Sequence, residues 1–102
     1  MFNGTEFDCA VASPFGPQSW KQRLICMAVS SLPDLVNSAV EIAEATRLSE
    51  RTVRKCLREL VADGWLRTQE RCIGTDWETV YSPATLAVDL IKRARAYHEA
   101  NP

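Results

Sequence analysis

Val40-Glu41-Ile42-Ala43-Glu44-Ala45-Thr46-Arg47-Leu48-Ser49-Glu50-Arg51-Thr52-Val53-Arg54-Lys55-Cys56-Leu57-Arg58-Glu59-Leu60-Val61-Ala62-Asp63-Gly64-Trp65-Leu66 is the stretch on which the fold turns. It reads as two helices around a short turn. Ser49 is placed to cap the second by accepting a hydrogen bond from a backbone N–H near Arg51 or Thr52, and Glu50 sits at the positive end of that helix's dipole. At about 100° per residue, Val53, Leu57, Leu60 and Val61 share one side, with Cys56 at its margin. Arg51, Arg54, Lys55 and Arg58 share the other. Asp63-Gly64 then closes the helix, with glycine where a left-handed residue is wanted.

These residues resemble the winged helix-turn-helix family of DNA-binding domains, of prokaryotic or phage regulator type. The pattern is carried by Ile42, Ala43, Leu48, Ser49, Thr52, Val53, Leu57, Leu60, Gly64 and Leu66, and it covers the chain from Trp20 to Ser82. The resemblance implies an α+β fold with a three-helix core and a two-stranded wing, and a cationic second helix presented to the major groove of double-stranded DNA. One position departs from the family: where the turn between the helices often has glycine, this chain has Arg47. Either the turn differs or Arg47 adds a phosphate contact.

Working outward, Trp20 to Leu32 shows apolar residues at Leu24, Ile25, Ala28 and Val29 and reads as the first helix, ended by Pro33. Asn37 or Ser38 caps the next helix, where the small Ala43 lets the following helix cross closely. Trp65 to Arg71 and Thr79 to Ser82 read as a hairpin whose connecting loop is the wing. Ser82-Pro83 opens a last helix to about Ala100, apolar along Leu86, Ala87, Leu90, Ile91, Ala94 and Tyr97 and polar along Asp89, Lys92, Arg93 and Glu99. Met1 to Ser19, with Gly4, Pro14, Gly16 and Pro17, shows no sustained period and reads as an irregular arm. Its Phe2, Phe7 and Phe15 are expected to pack on the domain or a partner subunit; contact with DNA is disfavoured by Glu6, Asp8 and the absence of Lys or Arg before Lys21. The expected organisation is therefore an arm at 1–19, a winged domain at 20–82 and a terminal helix at 83–102.

With 102 residues, 46% hydrophobic and 25% charged, the chain fits one compact domain. A net charge of −1 excludes binding nucleic acid by bulk charge, so attraction must come from segregation. Such segregation exists: between Arg47 and Arg71 the cations Arg47, Arg51, Arg54, Lys55, Arg58, Arg67 and Arg71 outnumber Glu50, Glu59, Asp63 and Glu70. Cys9, Cys26, Cys56 and Cys72 lack Cys-x-x-Cys spacing and have His98 as the one imidazole, so neither a metal site nor a cofactor is expected. Cys26 and Cys56 read as small buried hydrophobes suited to a reducing compartment. No signal peptide or membrane-spanning run is apparent, and a cytoplasmic location is expected.

Arg51, Thr52 and Lys55, near the helix start, are the expected base readers; Arg58 is better placed for a phosphate, and Arg54 for either. Arg67 and Arg71 are candidates for phosphate or minor-groove contacts from the wing, opposed by Asp76 and Glu78. Trp65 and Trp77 are read as packing residues. His98 stands alone and Glu41 and Glu44 suit a helix surface, so no enzyme chemistry is expected. The function inferred is sequence-specific recognition of double-stranded DNA by a transcriptional regulator, a repressor acting by promoter occlusion. It is expected to be a homodimer joined through Leu86, Leu90, Ile91, Ala94 and Tyr97, or else to fold that stripe onto its own domain. Rival functions are a phage or plasmid replication-origin binding protein, and a winged-helix inhibitor that binds a host protein complex.

Overall fold

A computed structural model describes residues 4–31, 37–86 and 88–100. Helices α1 (Gly4–Ala12), α2 (Trp20–Ser31), α3 (Ala39–Thr46) and α4 (Glu50–Ala62) precede strands β1 (Leu66–Ile73) and β2 (Asp76–Pro83), and α5 (Val88–Ala100) closes the chain. The two strands pair antiparallel from Leu66↔Pro83 to Ile73↔Asp76. The fold is α+β and winged helix-turn-helix. Leu32, Pro33 and Phe2 lie outside the described residues.

Local chemistry fixes the helix ends. Ser38, not Asn37, caps α3 in a reciprocal capping box with Glu41: its Oγ accepts from the Glu41 N–H at 3.3 Å while Glu41 Oε1 accepts from the Ser38 N–H at 3.3 Å. Ser49 Oγ accepts from the Thr52 N–H at 3.2 Å to start α4. At its other end the Gly64 N–H reaches Val61 O at 3.1 Å and the Trp65 N–H reaches Leu60 O at 2.9 Å, with Gly64 at φ 84°. That paired arrangement is a Schellman motif, and it turns the chain straight into β1.

The core is built by Ile25, Cys26 and Val29 of α2, Ile42 of α3, Val53, Leu57 and Leu60 of α4, and Trp65 and Leu66 at the root of the wing. Burial, with Asp8 nearby, pushes the Cys26 thiol up to about 12, which removes it from thiolate chemistry. Burial also raises the Cys56 thiol. The hairpin is fastened to the body by a bridge between Ser38 and Val80 and by the Tyr81 N–H donating to Asn37 O at 3.0 Å.

Both ends of the chain depart from the sequence reading. Residues 4–12 form a helix and not an irregular arm, and Phe7, Ala10 and Val11 enter the core. Phe7 meets Trp65 edge to face at a centroid distance of 6.4 Å. The breakers Pro14, Gly16 and Pro17 act only after Ser13. Gly16 is required there, since a Cβ would stand 2.1 Å from Val11 O. Phe15 remains 44% exposed, so of the arm's described rings it is Phe7 that serves the core.

The last helix does not begin at Pro83 either. Pro83 ends β2 opposite Leu66, the Ala84 N–H donates to Trp65 O at 3.0 Å, and α5 starts at Val88. It lies on α1 of its own chain. Ala94 is 1% exposed, and Leu86 and Leu90 pack on the core. A hydrogen bond of 2.8 Å joins His98 Nε2 to Cys9 O, and an ion pair joins Arg95 to Glu6. Of the two readings of this stripe, Leu86, Leu90 and Ala94 follow the second, packing within their own chain. Ile91 stays half-buried and Tyr97 37% exposed. The physical reason is α1 itself: once the first segment is helical, it supplies the surface that α5 needs.

Candidate nucleic-acid interface

The turn between α3 and α4 depends on Arg47, which ends α3 in the left-handed conformation at φ 58°, ψ 25°. The alternative of a different turn falls, since arginine here keeps the turn that glycine would make, at a backbone cost of about 1 kcal/mol. Its side chain is exposed. Thr46 steadies the same turn from inside, its hydroxyl donating to Ile42 O at 2.8 Å.

Beyond the turn, Arg51, Arg54, Lys55 and Arg58 all stand exposed along one face of α4, while Val53, Cys56, Leu57 and Leu60 are buried along the other. Thr52 is half-buried and its hydroxyl accepts from Ser49 Oγ at 2.8 Å. This ties Thr52 to the cap. Arg54 is held by Glu50 one turn earlier at 2.6 Å, an exposed pair that salt and competing anions can open. Arg51, Arg54 and Arg58, with Glu50 and Tyr81, line an open groove of about 560 Å³. A smaller recess of about 260 Å³ between α3 and the wing shares Arg54 and Tyr81 with it and is lined also by Val40, Trp77, Glu78 and Thr79.

The wing does not contribute cations in the way its sequence suggests. Arg71 faces Glu78 across the strand pair and holds its carboxylate at 2.7 Å, with Glu41 of α3 at 3.5 Å. Hydrogen bonding from Arg71, joined by Ser38, holds the Glu78 carboxyl below its usual range. Arg71 therefore braces the wing against α3 in this structure. Arg67, exposed at the wing's root, donates from Nε to Ser82 Oγ at 2.9 Å. The strands also run further than expected, and the loop shrinks to Gly74-Thr75 with Gly74 at φ 62°. Glycine at the first central position of a two-residue hairpin loop is the II′ pattern.

Trp65 packs inside as expected, but Trp77 does not: its side chain is 70% exposed. The ladder places Trp77, Thr79 and Tyr81 on one face of β2 and Glu78, Val80 and Ser82 on the other. Val80 and Glu78 take the inner side, which leaves Trp77 outside. Trp77 and Tyr81 are the members of the groove that sequence reasoning missed. The available signal was the tight Gly74-Thr75 turn, which sets the register and with it the alternation.

Residues 37–67, from the residue before the α3 cap to the first residues of β1, match the family described as winged helix-turn-helix DNA-binding. A solved structure, that of Lactococcus lactis ZitR, wild type in complex with DNA, superposes with a TM-score of 0.53 at 19% identity over 87% of this chain. The chain covers 57% of that one, and at such identity the likeness is one of fold. No curated protein matches the chain. Among the described residues no helix is long and apolar enough to cross a membrane.

Proposed function

We propose that this protein is a transcriptional regulator that binds double-stranded DNA sequence-specifically through α4, acting by occupancy and not by catalysis. The observation that carries the reading is the row of exposed cations, Arg51, Arg54, Lys55 and Arg58, on a helix whose start is fixed by the Ser49 cap and whose opposite face is locked in the core. A helix so held presents its first turns as one rigid unit, which a major groove about 12 Å wide accommodates. Arg51 and Lys55 read bases, Thr52 steadies the cap, and Arg58 meets a phosphate. Because the net charge is −1, attraction is local to this face and should weaken steeply with salt.

The mode of regulation we propose is repression by promoter occlusion, in which occupancy of the site itself excludes transcription. We further propose a homodimer, which would place two such helices about 10 base pairs or a multiple apart on a near-palindrome. With much of the α5 stripe taken by α1, the seam would draw on Ile91 and Tyr97. The ZitR structure is titled as a DNA complex, which supports the reading by analogy of fold.

Footprinting on the DNA flanking the protein's own coding region tests the proposal. Protection of a promoter-overlapping site, lost in the Arg51→Ala, Lys55→Ala double variant, supports it. A folded protein that shows no salt-dependent binding to any duplex refutes it, and protection confined to a replication origin replaces regulation with origin binding.

A further inference from the structure

The wing has few free cations to offer a polyanion. Arg71 is engaged by Glu78 and Glu41, and Arg67 by Ser82 at the far end from the turn. Near the turn, Asp76 and Glu78 add negative charge. The face of β2 opposite to Glu78, Val80 and Ser82 carries Trp77, Thr79 and Tyr81 instead. Tyr81 shares the larger groove with Arg51, Arg54 and Arg58, while Trp77 lines the recess that adjoins it, with Arg54 and Tyr81 bordering both. The two hollows bring arginines of α4 beside Tyr81 and Trp77, with Glu50 on the larger and Glu78 on the smaller.

We infer that Trp77 is an apolar DNA contact, by which the wing packs against the deoxyribose rings of a duplex whose phosphates are held by the arginines of α4. The inference rests on the proposed DNA-binding reading and extends it to a residue and a mode of contact. Charge selects the occupant: Arg51, Arg54 and Arg58 outweigh Glu50 in the larger groove and call for an anionic partner, and the sugar faces of a nucleic acid backbone are its apolar surface. An indole suits such a contact because it offers a large rigid face at little conformational cost. Singly exposed apolar side chains are ordinary on protein surfaces. Trp77 differs in lining a recess that Arg54 of α4 also lines.

An apolar contact and an ionic one leave different signatures in salt. Losing a phosphate contact flattens the dependence of log K on log salt by about 0.9, whereas losing an apolar contact displaces the line without changing its slope. The experiment is an anisotropy titration of a mixed-sequence duplex of about 30 base pairs across about 25–200 mM KCl. The proteins are the parent, Trp77→Ala, Trp77→Phe and Arg58→Ala. Trp77→Ala is expected to bind about tenfold more weakly at every salt concentration, on a line parallel to the parent's. Trp77→Phe should stay within about threefold, and Arg58→Ala should give the shallower line. Indole emission provides a second reading, since the change that duplex induces in the parent should be lost in the Trp77→Phe variant.

If Trp77→Ala superimposes on the parent while Arg58→Ala weakens, Trp77 lies off the duplex and the inference falls while the DNA reading stands. A flattened slope in Trp77→Ala overturns it equally, because the residue would then act through charge. If the folded parent shows no salt-dependent duplex binding, both fall together, and the aromatic face of β2 belongs to a protein partner. Should Trp77→Ala fail to fold, the affinity and emission of Trp77→Phe decide the matter.

Discussion

Helix α4 and the β1–β2 wing both carry arginine, yet the helix's cations stand in solvent while the wing's Arg71 is tied back into the body. The difference comes from the geometry of each element. On a helix, residues of one charge at 51, 54, 55 and 58 fall together and face away from a core built by their neighbours. In a two-stranded ladder, opposite charges at paired positions meet: Arg71 and Glu78 are directly across from one another. The helix therefore collects charge on one face, and the hairpin cancels it.

The sharpest way to break the comparison is to remove two cations from each region. Arg51→Ala with Lys55→Ala should reduce duplex affinity by about 2–4 kcal/mol and flatten the salt slope by one to two contacts. Arg67→Ala with Arg71→Ala should change affinity by less than about 1 kcal/mol. Anisotropy titrations on one duplex decide, and equal losses would put the wing's arginines on the DNA after all.

Arg71 should instead matter to stability. Arg71→Ala leaves the carboxylates of Glu41 and Glu78 facing each other without their shared cation, and should cost about 1 kcal/mol in urea denaturation. A variant as stable as the parent would mean that the brace is incidental.

Two of the three positive-φ positions among the described residues, Arg47 and Gly74, sharpen the contrast from the backbone side. A Cβ at Gly74 would touch nothing within 4 Å, so Gly74→Ala isolates the cost of φ 62°, about 1 kcal/mol. Arg47→Gly should do the reverse, relieving strain in the helix turn but adding chain entropy to the unfolded state, for a net gain of a few tenths of about 1 kcal/mol. Thermal melts of both variants check the opposite signs.

The smallest expected effect is in acid. The Glu78 carboxyl titrates below its usual value in the folded chain, so its contribution is present above the unfolded value of 4.5 and disappears as pH falls through the lower folded one. Stability should therefore decline slightly more steeply below about pH 4.5 in the parent than in Glu78→Gln. Parallel acid limbs would show that the half-buried pair contributes nothing measurable.

The candidate site was legible to the degree that it is helical. Ser49, the spacing of Val53, Leu57 and Leu60, and Gly64 identify α4 and its exposed face without reference to anything beyond that helix. The wing was legible only as a hairpin. Which residues lie opposite one another depends on the Gly74-Thr75 turn, and a shift of the assumed loop hides both the Arg71–Glu78 pair and the outward Trp77. At the amino end, Phe7, Ala10 and Val11 do have helical spacing, but Pro14, Gly16 and Pro17 a few residues later obscured it when the segment was read as a unit.

By itself, the sequence determined the helix-turn-helix, its caps and the cationic face, because these are set by interactions within three or four residues along the chain. Only the tertiary structure decided that Arg71 is a brace, that Trp77 borders the groove beside Arg54, and that α5 has its partner in α1. Each of those depends on which distant segment arrives at a surface, and for charged and amphipathic side chains alike the partner that arrives first in space determines the role.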